Sequence, residues 1–292
     1  MPSRKERMRS IQRPRRRPMP DGNSGPARIA SEIDESLVPS YLKETYTWAY
    51  LSPLGTRFFD HQAIVNTILW GNASRLCKWA CQEIQPGNRV LQPAAVYGNF
   101  SRMLANAVGP DGVLDICDIA PIQVRLTARK VQDINHAHVY QHDARQPSKK
   151  RYDSIVCFFL LHEIPEQDRP CIVGNLLESL GPSGRCIFID YHRPARWHPL
   201  RPVLSAVFHY LEPYASSMVA HEISHICAGM EGWLWKKETC FGGLYQKTIA
   251  QRCQLSSQNI TKESSFLVTG NEIPKQKDDA IHDDRTRTAS PY

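Results

Sequence analysis

The chain has 292 residues, a net charge of +7 and 41% hydrophobic residues. These values predict one packed core domain with appendages rather than a wholly disordered chain. Residues 1–28 contain nine Lys or Arg and two acidic residues, so this segment accounts for the whole charge excess. Because the remaining chain is net neutral, we expect no basic surface for nucleic acid.

The two ends of the chain differ in composition from its middle. Residues 1–30 are rich in Arg, Pro and Gly and are predicted to form a disordered basic tail. An Arg-rich, acid-poor start is also typical of a mitochondrial transit peptide, and this alternative stays open. Residues 253–292 are polar and predict a second disordered tail. No apolar run approaches the ~20 residues that span a bilayer, and no secretory signal is apparent.

Cysteine usage indicates an intracellular protein. The nine Cys residues are odd in number and contain no C-x-x-C pair. Several lie in apolar, strand-like runs, as reduced core cysteines do. We therefore expect neither a disulfide framework nor a thiolate zinc site.

The middle of the chain predicts helices followed by an α/β core. Residues 31–85 form the predicted N-terminal helical region, because large apolar residues recur there at three- and four-residue spacings. Residues 86–252 alternate strand and helix signals, which predicts a doubly wound α/β fold with a mostly parallel sheet. A helical insertion is expected at about 197–228. An antiparallel hairpin through Gly242 and Gly243 closes the core.

The first strand of this core runs into a candidate cofactor loop, RVLQPAAVYGNFS (89–101). Such a strand–turn–helix unit presents backbone N–H groups to a nucleotide cofactor. Methyltransferases that use S-adenosylmethionine usually have acid-x-Gly-x-Gly-x-Gly here. In this chain Gln92 takes the acid position, Ala94 and Val96 take the first two glycine positions, and Gly98 is retained. We expect S-adenosylmethionine to bind at Gln92, Ala94 and Gly98, with its methionine end held differently.

Two acids follow the next two strands. Asp118 ends the second strand, where a carboxylate can accept hydrogen bonds from both ribose hydroxyls. Its alternative role is a helix cap before Ala120. Asp143 ends the third strand, where it can accept from the adenine amino group; the alternative is a surface loop acid.

Groups for proton transfer and metal binding follow the fourth and fifth strands. His162 and Glu163 follow the fourth strand, and Asp190 and His192 follow the fifth. Strand ends open onto one crevice, so we predict that His162, Asp190 and His192 are catalytic. Carboxylate with imidazole suits Mn²⁺ or Mg²⁺, which makes Asp190 and His192 candidate metal ligands. The alternatives are a histidine bonded to backbone and a loop carboxylate.

The segment His221-Glu222-Ile223-Ser224-His225 matches the zinc-peptidase pattern H-E-x-x-H. On a helix its two histidines would share one face. The pattern is short, the chain has 11 histidines, and no third ligand follows convincingly. We therefore expect a polar face of the insertion rather than a catalytic zinc site.

Several longer segments together carry a family resemblance. They are YLKETYTWAY (41–50), ILWGNASRL (68–76), VLQPAAVYGNFS (90–101), CDIAPIQ (117–123), FFLLHEIP (158–165), IDYHRPARWHPLRPV (189–203) and FGGLYQK (241–247). On these segments the chain resembles the RquA family of rhodoquinone biosynthesis, a relative of the class I methyltransferases.

The resemblance implies conversion of ubiquinone to rhodoquinone, in which an amino group replaces a ring methoxy group. It also implies S-adenosylmethionine as amino donor and assistance by Mn²⁺. The prenylated substrate implies a membrane surface as partner, at the cytoplasmic face of a bacterial inner membrane or in a mitochondrion if the source is eukaryotic. Tyr97, directly before Gly98, is then a candidate catalytic residue near the sulfonium. Its alternative role is packing against the N-terminal helices.

Three other functions stay open at this point. A true quinone methyltransferase would use the same cofactor but make a methylated product. A non-catalytic protein with a degenerate cofactor loop would bind without turnover. The zinc peptidase would need metal at His221.

Overall fold

Seven strands form one sheet in the part of the chain that the computed structural model describes, residues 33–227 and 231–253. They are β1 (Arg89–Gln92), β2 (Val113–Asp118), β3 (Ala137–Gln141), β4 (Tyr152–Phe158), β5 (Leu180–Tyr191), β6 (Trp233–Cys240) and β7 (Tyr245–Arg252). Their order is β3-β2-β1-β4-β5-β7-β6, with β1 to β5 parallel and β7 antiparallel to both neighbours. The predicted α/β class and the closing hairpin are confirmed.

Helices cover the sheet and precede it. They are α1 (Ser40–Thr45), α2 (Pro53–Phe59), α3 (Gln62–Ile68), α4 (Ala73–Cys81), α5 (Phe100–Val108), α6 (Pro121–Lys130), α7 (Arg169–Glu178), α8 (Arg201–Tyr210) and α9 (Ala215–Ala220). A π-helical turn, Thr47–Leu51, joins α1 to α2. The helices α8 and α9 form the predicted insertion between β5 and β6.

The core lies on both faces of the sheet. Side chains of a strand alternate between faces, so Val90 packs with Leu104 of α5 while its neighbour Leu91 packs with Ile172 of α7. All four side chains are buried. Because both faces are covered, the strand ends are held rigidly, and the reversal of strand order between β1 and β4 opens the crevice where such folds bind ligands.

The structure differs from the expectation near β5. The sequence predicts a helix from Glu166 to Leu180, closed by Gly-Pro-Ser-Gly, and a strand from Arg185. In the structure α7 ends at Glu178 and β5 already begins at Leu180. The Gly-Pro-Ser-Gly segment lies inside β5 as an irregularity, because Leu180 pairs with Tyr152 and Arg185 pairs with Ser154, and the register shifts between these two pairs. A Cβ at Gly184 would lie 2.8 Å from the Tyr152 carbonyl oxygen, so this close approach needs glycine.

Two further expectations concern the ends of the chain and the bilayer. The predicted tails lie outside the described residues, apart from Cys253 at the start of the second. None of the helices in the described ranges is long and apolar enough to cross a membrane.

Candidate active site

A cavity of about 400 Å³ lies at the carboxyl ends of β1, β2 and β4. Its walls come from the loop after β1, the N-terminal helices and the end of α8. Of the predicted site residues, the cavity wall includes Ala94, Tyr97, Asp118, Asp143 and His162. The lining side chains are mainly aromatic and aliphatic, as is typical of a site for an apolar ligand.

Gln92 lies at the end of β1 and is fully buried. Its Nε2 donates to the carbonyl oxygen of Ala94, 2.7 Å away. Its Oε1 is buried and has no hydrogen-bond partner. An unpaired buried acceptor costs about 1–3 kcal/mol. The loop thus holds a neutral acceptor that still lacks a donor.

The start of α5 is capped by side chains of the N-terminal helical region. The Gly98 N–H donates to Asp60 Oδ1 (3.1 Å), and the Asn99 N–H donates to Gln62 Oε1 (2.9 Å). Asp60 is also ion-paired with Lys130. Gly98 has a φ of 75°, and a Cβ there would lie 2.6 Å from Gln62 Oε1. The retained glycine therefore allows the close contact with α3. The backbone N–H groups of Gly98 and Asn99, at a helix start where such groups can bind an anion, are instead bonded to Asp60 and Gln62.

Asp118 connects the ends of β1 and β2. Its Oδ2 accepts from the Ala95 N–H (2.8 Å) and its Oδ1 accepts from the Ala120 N–H (2.7 Å). The carboxylate therefore also caps the turn before α6, as the alternative reading proposed. Burial raises the pKa of Asp118 to about 6, and the backbone N–H groups oppose that rise. Each oxygen keeps a further lone pair, and the side chain lines the cavity.

Asp143 lies two residues beyond β3 and is paired with Arg145. The guanidinium Nε contacts both carboxylate oxygens at 3.1 and 3.0 Å, and Nη2 donates to Oδ2 at 2.8 Å. Arg145 also reaches Asp168 at 3.5 Å. Both Asp143 and Arg145 line the cavity. The structure thus places a charge pair, not a single carboxylate, at the expected adenine position.

His162 and Asp190 form a buried pair at the ends of β4 and β5. His162 Nδ1 lies 2.8 Å from Asp190 Oδ1, and Asp190 Oδ2 accepts from the Leu161 N–H at 3.0 Å. The rings of Phe159 and Tyr191 pack edge-on against the imidazole. Burial alone lowers the pKa of His162, but the adjacent Asp190 carboxylate outweighs it and raises the pKa to about 9. The imidazole is therefore oriented and can hold a proton at neutral pH.

Two glutamates and two tyrosines extend this pair. Of these four, the sequence analysis named only Glu163, as a group for proton transfer or metal binding. Tyr50 donates to Glu163 Oε1, and Tyr46 donates to Glu212 Oε2 at 2.9 Å. Glu163 Oε1 lies 3.8 Å from His162 Nε2. Burial raises the pKa of both glutamates, and the His162 charge opposes this rise. Asp190 raises the pKa of both further, and Glu212 also raises the pKa of Glu163. The aromatic segment YTWAY was the available signal for the tyrosines; Glu212 had none.

Tyr97 is oriented toward the N-terminal helical region. Its hydroxyl donates to the Ala49 carbonyl oxygen (2.6 Å) and accepts from Gln123 Nε2 (2.8 Å). Its ring is parallel to that of Tyr50, with centroids 5.5 Å apart. The ring lines the cavity, but the hydroxyl proton is already donated to backbone. This geometry matches the packing alternative rather than the catalytic role expected for the hydroxyl.

Asp190 and His192 do not fit a shared metal ion. The Asp190 oxygens accept from His162 and from backbone N–H groups. The His192 Nδ1 contacts the Gly243 carbonyl oxygen at 2.8 Å, and its Nε2 lies 3.4 Å from Lys237 Nζ. No three His, Cys, Asp or Glu side chains in the described residues are arranged to hold a metal. His192 lies beyond β5 beside the hairpin turn, so the strand-end argument did not bring it to the cavity.

The H-E-x-x-H segment is not a helix. The helix α9 ends at Ala220, and a 3-10 turn occupies Ile223–His225. His221 Nδ1 contacts the Ser217 carbonyl oxygen at 2.9 Å, and Glu222 pairs with Lys237 at 2.6 Å. The two histidines therefore lack the one-turn helical spacing that zinc peptidases need.

The core is similar in sequence to known methyltransferases. Residues 90–184 match a family described as "Methyltransferase domain". The ubiquinone/menaquinone biosynthesis C-methyltransferase UbiE of Vibrio vulnificus (strain YJ016) is 26% identical over 167 residues, which cover 54% of this chain and 63% of that protein. The UbiE protein of Ectopseudomonas mendocina (strain ymp) is 26% identical over 153 residues, covering 50% and 57%. The chain thus spans less than two thirds of these relatives.

Solved structures agree on the fold. The mitomycin 7-O-methyltransferase MmcR superposes with a TM-score of 0.52 at 15% identity, over 73% of this chain and 61% of that one. The pyocyanin biosynthetic protein PhzM gives a TM-score of 0.51 at 15% identity, over 71% and 61%. The α/β core therefore shares the fold of these methyltransferase structures.

Proposed function

We propose that the protein transfers the amino group of S-adenosylmethionine to ubiquinone, replacing a ring methoxy group and producing rhodoquinone. The observation that carries the proposal is Gln92, a neutral side chain at the usual acid position, whose buried Oε1 lacks a donor. A carboxylate there would stabilise the donor amino group as an ammonium ion. An amide oxygen accepts an N–H without that bias, so the amine keeps its nucleophilic lone pair.

The cavity residues divide between the two substrates in this proposal. The Asp118 oxygens accept hydrogen bonds from the ribose hydroxyls through their remaining lone pairs. The Asp143–Arg145 pair borders the adenine. Ala94 contacts the donor next to Gln92, and Gly98 keeps the loop closed on α3. The apolar wall formed by the N-terminal helices, with Val65 and Ile68 of α3, takes the quinone ring and the start of its prenyl tail.

His162 is the proposed acid–base residue. Asp190 fixes its Nδ1, so Nε2 is the nitrogen left to reach the cavity. With a pKa of about 9, His162 carries a proton at neutral pH and can donate it from Nε2 to a quinone carbonyl oxygen. Protonation of that oxygen withdraws electrons from the ring carbon that bears the methoxy group. The resemblance implies assistance by Mn²⁺, but Asp190 and His192 do not fit the ion, and no step here depends on it.

The reaction balances when water takes part. A ring C–N bond forms, the C–OCH₃ bond breaks, and methanol leaves with a proton. The donor Cα–N bond is then oxidised to the level of a carbonyl, and its two electrons reduce the quinone ring. Water releases the donor as its 2-oxo acid, and the product is rhodoquinone in its reduced form.

Methyl transfer to a quinone is the second candidate. It is favoured by the similarity to proteins named as quinone-biosynthesis C-methyltransferases. In that case the loop changes at Gln92, Ala94 and Val96 would be tolerated without a change of reaction. A third possibility, binding without turnover, predicts thermal stabilisation by S-adenosylmethionine and no product.

The substrate places the enzyme at a membrane. Ubiquinone is dissolved in the bilayer, so we propose a peripheral enzyme at the cytoplasmic face of a bacterial inner membrane, or in a mitochondrion if the source is eukaryotic.

The test compares two isosteric variants, Gln92→Glu and Asp118→Asn. Gln92→Glu restores a carboxylate that stabilises the ammonium form, so amino transfer should fall at least tenfold, about 1.4 kcal/mol in barrier, with S-adenosylmethionine still bound. Asp118→Asn should instead weaken cofactor binding. Full amino transfer by Gln92→Glu would contradict the role given to the neutral loop.

A further inference from the structure

The insertion carries a basic segment with exposed aromatic side chains. Residues 193–211 contain three Arg, two His and no Asp or Glu. Within it Trp197 and Tyr210 are each 77% exposed, and Val203 and Leu211 are each 46% exposed. Meanwhile Leu204 and Phe208 of α8 are buried against the core. The segment is therefore anchored by one face and presents large apolar groups on the other.

The positive charges of this segment have no counter-ions among the residues that the structure describes. Among the described residues, Arg193, Arg196 and Arg201 take part in no ion pair, and all three are exposed. Other exposed cations of the domain do pair, such as Arg125 with Glu35. Three unpaired cations interleaved with exposed aromatic residues are typical of a surface that binds anionic lipid.

Exposed apolar side chains continue from this segment into the cavity. Leu211 is half exposed and also lines the cavity. From the opposite wall, Trp48 and Ile68 are 46% and 45% exposed and line it as well. Leu54 of α2, 82% exposed, extends the apolar surface of the N-terminal helices. The rim of the cavity is therefore apolar on two separate elements of the chain.

We propose that this rim, together with residues 193–211, docks onto an anionic lipid bilayer. The exposed Trp, Tyr, Val and Leu side chains enter the headgroup and acyl boundary, and the three arginines contact lipid phosphates. A protein partner seated there would cover the cavity, whereas a bilayer can deliver an apolar substrate through it. The inference rests on the proposed function only for the identity of the lipid-soluble molecule that enters the cavity.

Vesicle flotation of the full chain, without quinone or S-adenosylmethionine, tests the docking surface. Phosphatidylcholine vesicles with and without phosphatidylglycerol are compared at low salt. The triple change of Arg193, Arg196 and Arg201 to Gln should lower binding to anionic vesicles about tenfold or more. The double change of Trp197 and Tyr210 to Ala should also lower binding, including at salt concentrations that screen charge.

The matched control changes Arg129, Lys149 and Arg151 to Gln, which are exposed cations on other elements. It removes the same charge and keeps the basic residues 1–28, so its vesicle binding should stay near that of the wild type. Equal loss in the control and the test triple would overturn the proposed surface. So would absence of vesicle binding by the wild type, which would point to a protein partner. Amino transfer to a short-tailed quinone in solution is measured separately, so binding without turnover contradicts only the proposed function.

Discussion

His162 Nδ1 lies 2.8 Å from Asp190 Oδ1, and this contact links the segment after β4 to the end of β5. The other Asp190 oxygen accepts the Leu161 N–H, so the carboxylate is itself held in place. In an imidazole fixed in this way, Nδ1 holds the ring orientation and Nε2 can take up or release a proton. The pair therefore gives the cavity an oriented proton donor.

The His162–Asp190 pair should make stability depend on pH. Folding raises the pKa of His162 from 6.5 to about 9, so the folded state binds this proton more tightly than the unfolded state. The resulting contribution to the free energy of unfolding is complete below pH 6.5 and is lost as the pH rises through about 9. Urea unfolding across this range should show falling stability.

The variant His162→Gln isolates this contribution, because it keeps a polar side chain without the titration. Its unfolding free energy should fall less between the same pH values. Identical pH dependence in wild type and variant would mean that His162 does not hold a proton in the folded state.

Loss of the Asp118 carboxylate should weaken cofactor binding. Asp118→Asn turns one acceptor oxygen into a donor, so a ribose hydroxyl loses a charged acceptor worth about 1.5–3 kcal/mol. We expect the Kd for S-adenosylmethionine, measured by calorimetry, to rise at least tenfold. Asp153→Asn is the control, because Asp153 also accepts a backbone N–H (from Arg89, 2.8 Å) but lies outside the cavity wall. Equal affinity in the Asp118 variant and this control would remove the ribose assignment.

Affinity for S-adenosylmethionine should also fall in mild acid. In the proposed site the ionised Asp118 is the form that accepts hydrogen bonds from both ribose hydroxyls, and burial raises the pKa of Asp118 to about 6. Below that pH a growing share of the protein must lose a proton before binding. The Kd should therefore rise about tenfold for each unit of pH below 6, and the Asp118→Asn variant should lack this dependence. A flat profile in the wild type would show that Asp118 stays ionised.

Tyr97→Phe should act on stability rather than on chemistry. The hydroxyl donates to Ala49 O and accepts from Gln123 Nε2. Its removal takes one partner from each group, although Gln123 Nε2 keeps its contact with the Tyr50 carbonyl oxygen. We expect the free energy of unfolding to fall by about 1–3 kcal/mol, with turnover per folded molecule nearly unchanged. Tyr210→Phe, at an exposed site, is the neutral control. A tenfold loss of turnover at unchanged stability would restore the catalytic role first expected for Tyr97.

The strand ends were predictable because buried parallel strands have nearly continuous apolar sequences. That pattern located Asp118, Asp143 and His162 at one edge of the sheet, and all three line the cavity. The strand-end argument did not locate His192, because the chain turns away from the cavity directly after the strand. His192 follows β5 and turns to the hairpin at Gly243, so it does not join Asp190.

Long-range contacts of the N-terminal region could not be obtained from spacing. Tyr46 meets Glu212 and Tyr50 meets Glu163 across more than 100 residues of chain. Apolar periodicity indicates that these helices pack on the core, but not which polar group each tyrosine reaches. The same limit applied to Tyr97, whose hydroxyl partner Ala49 lies 48 residues away.

The central claim is amino transfer, and isotope transfer tests it most directly. The full-length protein is incubated with ubiquinone and S-adenosylmethionine carrying ¹⁵N at its amino group, and in parallel with S-adenosylmethionine labelled at its methyl carbon. Mass spectrometry of the extracted quinone should show ¹⁵N in a product that has lost one methoxy group, and no methyl label. A product that keeps both methoxy groups and carries the methyl label would contradict amino transfer and establish a quinone methyltransferase.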